Sequence, residues 1–146
     1  MKDPAVTIMA CLKAGWLLTG VLAIDNIKFT TGWFDSELKT PQIVVLEDES
    51  ISDTWELGYG TIKVTAMYKV EVWVSAVKTT SKGRGKAKDY RFKLVEEIRR
   101  IIKANQSGLK DLWKVKLHGR GRPIDLLRNN PPILTYSQRF TVIYSV

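Results

Sequence analysis

An α+β domain is the fold this sequence predicts: a mainly antiparallel sheet with an N-terminal helix and one long helix packed on it. Three stretches carry the prediction. Thr61–Val77, TIKVTAMYKVEVWVSAV, places Ile62, Val64, Ala66, Tyr68, Val70, Val72, Val74 and Ala76 on one face and Lys63, Thr65, Lys69, Glu71 and Ser75 on the other. A period of two in a run rich in β-branched and aromatic residues marks a long, half-buried strand. Ala87–Asn105 repeats at three and four residues instead. Ala87, Tyr90, Leu94, Ile98, Ile101 and Ile102 form one stripe with Val95 beside it, and Lys88, Glu96, Arg99, Arg100 and Lys103 fill the other side, as in a helix laid on a core. Arg139–Val146 alternates again, with Phe140, Val142 and Tyr144 opposing Thr141, Ile143 and Ser145, and is expected to join the sheet beside the long strand. At 146 residues the chain is long enough for a sizeable core and reads as a single domain, 1–146.

In chain order, Asp3 followed by Pro4 is an N-cap and a first-turn proline. The helix they open is expected to end near Gly20 and to dock through Val6, Met9, Leu12 and Trp16. Val6–Ile24 is apolar, but Lys13 near its centre would cost about 2.5–3.5 kcal/mol on membrane insertion. Asp3 and Lys13 also spoil a secretory signal, so a soluble core segment is expected, with no membrane contact. Ile24–Phe34 reads as a short strand or extended segment with a turn at Thr31-Gly32. Pro41 introduces a buried strand, Gln42–Leu46.

Glu47–Gly60 changes composition. It carries Glu47, Asp48, Glu49, Asp53 and Glu56 with no basic residue, and Trp55 and Tyr59 as its aromatics. A loop is expected here, and so long a loop is either solvated or a docking surface. Met67, Trp73 and Val77 interrupt the polar side of the long strand, which fits cover by a loop or a subunit contact.

Lys78–Lys93 is basic: Lys78, Lys82, Arg84, Lys86, Lys88, Arg91 and Lys93 face one acid, Asp89. Its centre, Ser81-Lys82-Gly83-Arg84-Gly85-Lys86, reads as a flexible cationic loop ahead of the helix, and mobility is expected over Lys82–Lys88. It lacks the glycine spacing of a Walker loop, although anions are favoured near a helix start. Solvent, protein and nucleic acid all remain open as what it faces. Within the helix, Glu96 and Arg100 stand four apart in the favoured orientation. Leu112–Leu117 alternates as a further strand, His118–Arg122 is a glycine-and-arginine turn, Pro123–Arg128 suggests a helical turn, and Asn129–Pro132 a loop.

The formal net charge is +8, which points to an anionic partner. Cys11 is the only cysteine and His118 the only histidine. An internal disulfide, a cysteine cluster and a histidine pair are therefore excluded, and a reducing, intracellular setting fits. No nucleophile elbow, Walker motif or dinucleotide fingerprint is present. The acids of Glu47–Glu56 lack the order and glycine of an EF-hand. No catalytic residue, cofactor or metal is expected.

The element order runs helix, extended segment, short strand, acidic loop, long strand, basic loop, long helix, terminal strands. Carried by Pro41-Gln42-Ile43-Val44-Val45, Tyr68-Lys69-Val70-Glu71-Val72-Trp73-Val74, Asp89–Ile102 and Arg139-Phe140-Thr141-Val142-Ile143-Tyr144, it resembles the tail-terminator or tail-completion (head–tail joining) proteins of long-tailed phages and related proviruses. The likeness spans most of the chain through order and pattern, and Ile24–Phe34 fits it least.

The resemblance implies a structural virion protein, assembled in the host cytoplasm, that forms a homo-oligomeric ring, commonly a hexamer. Such a ring caps the tail tube and meets the head connector, with DNA passing through its lumen. This chain's own charge pattern then suggests the contacts. Glu47, Asp48, Glu49, Asp53, Trp55 and Glu56 of one copy would meet Lys82, Arg84, Lys86 and Lys88 of the next, and Arg84, Arg120 and Arg122 would face the lumen or nucleic acid. The alternative is a small basic nucleic-acid-binding protein, supported by arginines beside glycines with Tyr90 and Trp113 nearby. No RRM, KH or helix-turn-helix signature accompanies them.

Overall fold

The computed structural model describes residues 3–32, 41–48, 54–58, 61–75, 81–106, 112–126 and 132–145, with the backbone alone for 54–58, 61–63, 81–85, 112–113 and 145. In chain order the elements are helix α1 (Pro4–Gly15), strands β1 (Lys28–Thr31), β2 (Gln42–Glu47), β3 (Thr54–Gly58) and β4 (Thr61–Ser75), helix α2 (Ser81–Ala104), and strands β5 (Leu112–Arg120), β6 (Ile124–Leu126) and β7 (Ile133–Ser145). Short 3-10 turns at Gly20–Leu22 and Ile24–Asn26 lead from α1 into β1.

The strands form a seven-stranded sheet ordered β1-β2-β4-β7-β5, with β3 added to β4 and β6 added to β7. β1 runs parallel to β2, and the remaining pairs are antiparallel. The architecture is the expected α+β, mainly antiparallel one. β4 and β7 form the spine, in continuous register from Lys63↔Ser145 to Ser75↔Ile133. Each shares its other edge between two short strands. β2 takes Tyr68–Trp73 and β3 takes Thr61–Thr65 of β4, while β5 takes Gln138–Tyr144 and β6 takes Ile133–Thr135 of β7.

Alternation decides which face is covered. Val64, Ala66, Tyr68, Val70, Val72 and Val74 of β4 are buried, with Leu134, Phe140 and Val142 of β7 and Ile43 and Val45 of β2 beside them. On α2, Ala87, Leu94, Val95, Ile98, Ile101 and Ile102 are buried against this surface, and Ala5, Ile8 and Leu12 of α1 join the same core. The Tyr68 and Phe140 rings stack at 6.1 Å at its centre. Asp3 caps α1, its Oδ1 accepting the Ala5 N–H at 3.0 Å. Trp16, just past the helix, donates its indole N–H to the Leu22 carbonyl at 2.9 Å and meets Phe29 edge-on at 5.4 Å. Val6, expected to dock, points outward and is 41% exposed, and Ile8 takes the core position.

Four local expectations are overturned, each by tertiary context. Helix α2 starts at Ser81, so Lys82–Lys88 is helical and not a flexible loop. Gly83 and Gly85 cost about 1 kcal/mol each relative to alanine, and the adjoining turns are anchored through Lys88 and Arg91 to Asp125. The acidic segment is not a continuous loop, because Thr54–Gly58 pairs with the part of β4 that β2 leaves open. Ile124–Leu126 is a strand rather than a helical turn. It occupies the free start of β7, and Arg91 Nη1 donates to the Ile124 carbonyl (3.4 Å), Asp125 Oδ1 (2.5 Å) and the Thr135 carbonyl (3.2 Å). His118 and Gly119 lie within β5, not in a turn, with the strand irregular between Leu117 and Arg120. The chain does not reverse at Gly121: β6 continues along β7 in the same direction as β5, and the Gly121 N–H donates to the Ser137 carbonyl at 2.8 Å. A Cβ there would come within 1.9 Å of Ser137 Oγ.

The Glu96–Arg100 pair is replaced by others. Glu96 pairs with Arg120, and Arg100 Nε donates to Glu97 at 2.5 Å. Glu97 is 5% exposed and latches the two helices together. Its carboxylate accepts the Leu17 N–H at 2.8 Å, while Arg100 donates to the Gly15 carbonyl at 2.6 Å. Burial alone would raise the Glu97 carboxyl, but the hydrogen bonds from Arg100 and from the Leu17 and Leu18 N–H groups outweigh it and hold the carboxyl below its ordinary value.

A carboxyl depressed in the folded state stabilises the fold above its unfolded pKa, about 4.3. That contribution is lost as pH falls through the folded value. Glu97→Gln should therefore flatten the acid limb of a urea-denaturation stability profile. Glu97→Ala should cost about 1–3 kcal/mol at neutral pH by stripping the part-buried Leu17 N–H of its acceptor and Arg100 of its ion-pair partner. An acid limb in Glu97→Gln as steep as the parent's would contradict the assignment.

Candidate assembly interface

Among the described residues, the acidic segment lies along the first half of β4 and the basic start of α2 lies near the strand's far end. On the acidic side, β2 ends at Glu47, opposite Tyr68, and β3 places Glu56 opposite Lys63 in register. On the basic side, Lys88 of α2 reaches Asp125 of β6 at 3.6 Å, and β6 pairs with the stretch of β7 that lies against the Trp73–Ser75 end of β4. From Lys63 to Ser75 the strand spans roughly 40 Å, at about 3.3 Å per residue. Within one chain the two ends do not meet among the described residues.

The acidic residues differ in what they can offer a partner. Glu47 is exposed and accepts the Tyr68 hydroxyl at 3.5 Å. Burial, then the nearby Tyr144 and Glu47, push that hydroxyl above its ordinary range, so it remains a donor. Asp48 is 3% exposed and is ion-paired to Arg139 of β7 at 3.1 Å. It is committed to its own subunit. Trp55 and Glu56 lie on β3, and Glu49 and Asp53 lie outside the described residues.

Among the bases, Lys82 and Arg84 belong to the opening turn of α2, and Lys86 is exposed on it. Lys88 is paired as above. Arg120 is held by Glu96 and lies over the Phe92 ring at 5.9 Å. Arg122, past the end of β5, is exposed. Trp73 stands half-buried on the helix-free face of the sheet with its indole N–H donated to Glu71 at 3.1 Å, and Val77 lies outside the described residues.

The sequence reading missed the apolar surface. Leu17 (71%), Val21 (58%) and Ile24 (37%) are exposed together after α1, and Phe92 (52%) and Ile124 (50%) are exposed on α2 and β6. For Phe92 the signal was present, since it falls off the apolar stripe. It also missed the buried polar residues Arg91, Glu97 and Gln138. Gln138 accepts from Arg99 at 3.1 Å and donates to the His118 and Arg139 carbonyls at 2.5 and 2.8 Å, tying α2 to β7 and β5.

Among the described residues no cluster of His, Cys, Asp or Glu is placed to hold a metal ion, and no helix is long and apolar enough to cross a membrane. Burial raises the Cys11 thiol pKa, which disfavours the reactive thiolate.

No family model matches the sequence, and no curated protein matches it. Among solved structures, a chain in the virion of a native gene transfer agent particle aligns over 97% of this chain and 94% of its own, with a TM-score of 0.58 and 7% identity. What is shared at that identity is the fold, from end to end of both chains.

Proposed function

We propose that this chain is a structural virion protein that acts as a tail terminator, forming a closed ring that caps the tail tube and joins it to the head connector. The observation that carries the reading is the fold shared over nearly the whole of both chains with a component of a gene transfer agent virion. Support comes from the placement of charge. A head-to-tail contact joins two different surfaces and closes into a ring when its rotation closes, whereas a two-fold dimer matches one patch to itself. The acidic end of β4 and the basic start of α2 are two such surfaces. Charge sets register and encounter rate more than affinity, so apolar contacts supply most of the stability. Leu17 and Val21 are the exposed residues suited to that role. The part played is structural and not catalytic. Electron microscopy of the purified chain should show annular particles of one diameter. Single subunits or two-fold dimers at every concentration would refute the ring.

A further inference from the structure

We propose that the helix-free face of the sheet binds a phosphodiester backbone at β5, through Lys114, Lys116 and His118. Strand alternation puts these three side chains on one side, while Val115 and Leu117 turn into the core. Successive members of such a row stand about 6.6–6.8 Å apart, a regular series of cations suited to a linear polyanion. With Thr141 and Ile143 they line a shallow, open depression of about 240 Å³. His118 Nε2 meets the Thr141 hydroxyl; one of the two donates to the other, and the pair's remaining N–H or O–H stands beside the lysines as a further donor.

Compensating charge is missing at this place and present beside it. The cross-strand rows are Lys114–Ile143–Thr65 and Lys116–Thr141–Met67, with no carboxylate in either. Further along the same face Lys69 is paired with Glu71 at 3.1 Å and Arg139 with Asp48 at 3.1 Å. Among the described residues neither Lys114 nor Lys116 has an ion-pair partner. Lysines on an edge strand also discourage strand pairing, but that role does not require a depression lined with hydroxyl and imidazole.

The ligand class follows from what the site offers. An acidic peptide would add as a strand along the outer edge of β5, yet the Val115 N–H there already donates to the Gln106 carbonyl at 3.4 Å. The lining holds no Phe, Tyr or Trp ring on which bases would stack, so contact is mainly with phosphates and independent of sequence. This site is separate from Arg120, which Glu96 holds, and it does not depend on the ring.

The test is fluorescence anisotropy with a short DNA duplex, the corresponding single strand, and polyglutamate of equal charge, at concentrations below self-association. Lys114→Glu/Lys116→Glu should weaken nucleic-acid binding about tenfold or more, and lower the slope of log affinity against log salt by about 2 for the duplex. Lys93→Glu/Lys103→Glu on exposed positions of α2 makes the same change in net charge and should cost much less. Lys114→Gln/Lys116→Gln serves if the reversal disturbs folding. Duplex binding tighter than single-strand binding would identify the preferred form, and either supports the site. Unchanged affinity in both Lys114/Lys116 variants, an equal loss in the Lys93/Lys103 control, no nucleic-acid binding by the parent, or equally tight polyglutamate binding would overturn it.

Discussion

Deleting Arg139–Val146 should abolish cooperative folding. The segment carries Phe140 and Val142, both fully buried, and burial of each large side chain contributes roughly 1.5–3 kcal/mol. The ladder matters as much. The deletion would strip β4 of its partner from Lys63 to Lys69 and leave Leu112–Leu117 of β5 with nothing to pair with. Against a typical domain stability of about 5–15 kcal/mol, these losses leave no folded state. Phe140→Ala is the graded version and should cost about 3–5 kcal/mol, since the ring is stacked on Tyr68 with no solvent-exposed surface. Circular dichroism with urea denaturation reads both. A truncated chain that melts cooperatively at the parent's midpoint would contradict the role of β7 as half of the sheet's spine.

The second large effect is on assembly. Reversing Lys82, Arg84 and Lys86 to Glu places three acids at the start of α2, which in the proposed ring faces the neighbour's acidic segment. Like charges brought together cost several kcal/mol, so the ring should dissociate at about tenfold or more higher concentration. Reversing Glu47, Glu49 and Glu56 to Lys in the same chain should partly restore it. Asp48 is left out because its carboxylate belongs to Arg139. The deficit should shrink as salt rises, because screening weakens exposed charges. A triple variant that assembles as the parent does would show that the α2 start faces something other than a neighbouring subunit.

Elements with one dominant period were legible in the sequence: the alternation of Thr61–Ser75, the stripe from Ala87 to Ile102, and the Asp3-Pro4 start. What escaped was decided by other parts of the chain. Thr54–Gly58 is a strand because β2 is too short to cover β4, a fact of register with no local trace beyond Gly58-Tyr59-Gly60. Ile124–Leu126 is a strand because β5 leaves the start of β7 open and Arg91 clamps it there. The glycines of Ser81–Lys86 argued for a loop, yet a helix held one turn later extends through them at small cost. The buried polar residues did leave a signal. Arg91 and Glu97 sit at stripe positions, three residues before Leu94 and three after it, and Gln138 falls between Tyr136 and Phe140 on the inward side of β7. A charge at a core position predicts a specific partner, but the partner lies dozens of residues away. Of the candidate interface residues, charge sign and segment were legible. Which carboxylates are spent within the subunit was not, and Asp48 shows the difference.

Whether the chain closes into a ring is read from the mass of the parent chain in solution. Sedimentation or light scattering should be run at moderate salt after nuclease treatment, over a dilution series. A closed ring gives one discrete oligomer larger than a dimer, in equilibrium with monomer and with no ladder of ever-larger species, because a head-to-tail contact that closes stops growing. A chain that stays monomeric, stops at a two-fold dimer, or forms large species only while nucleic acid is present would contradict it.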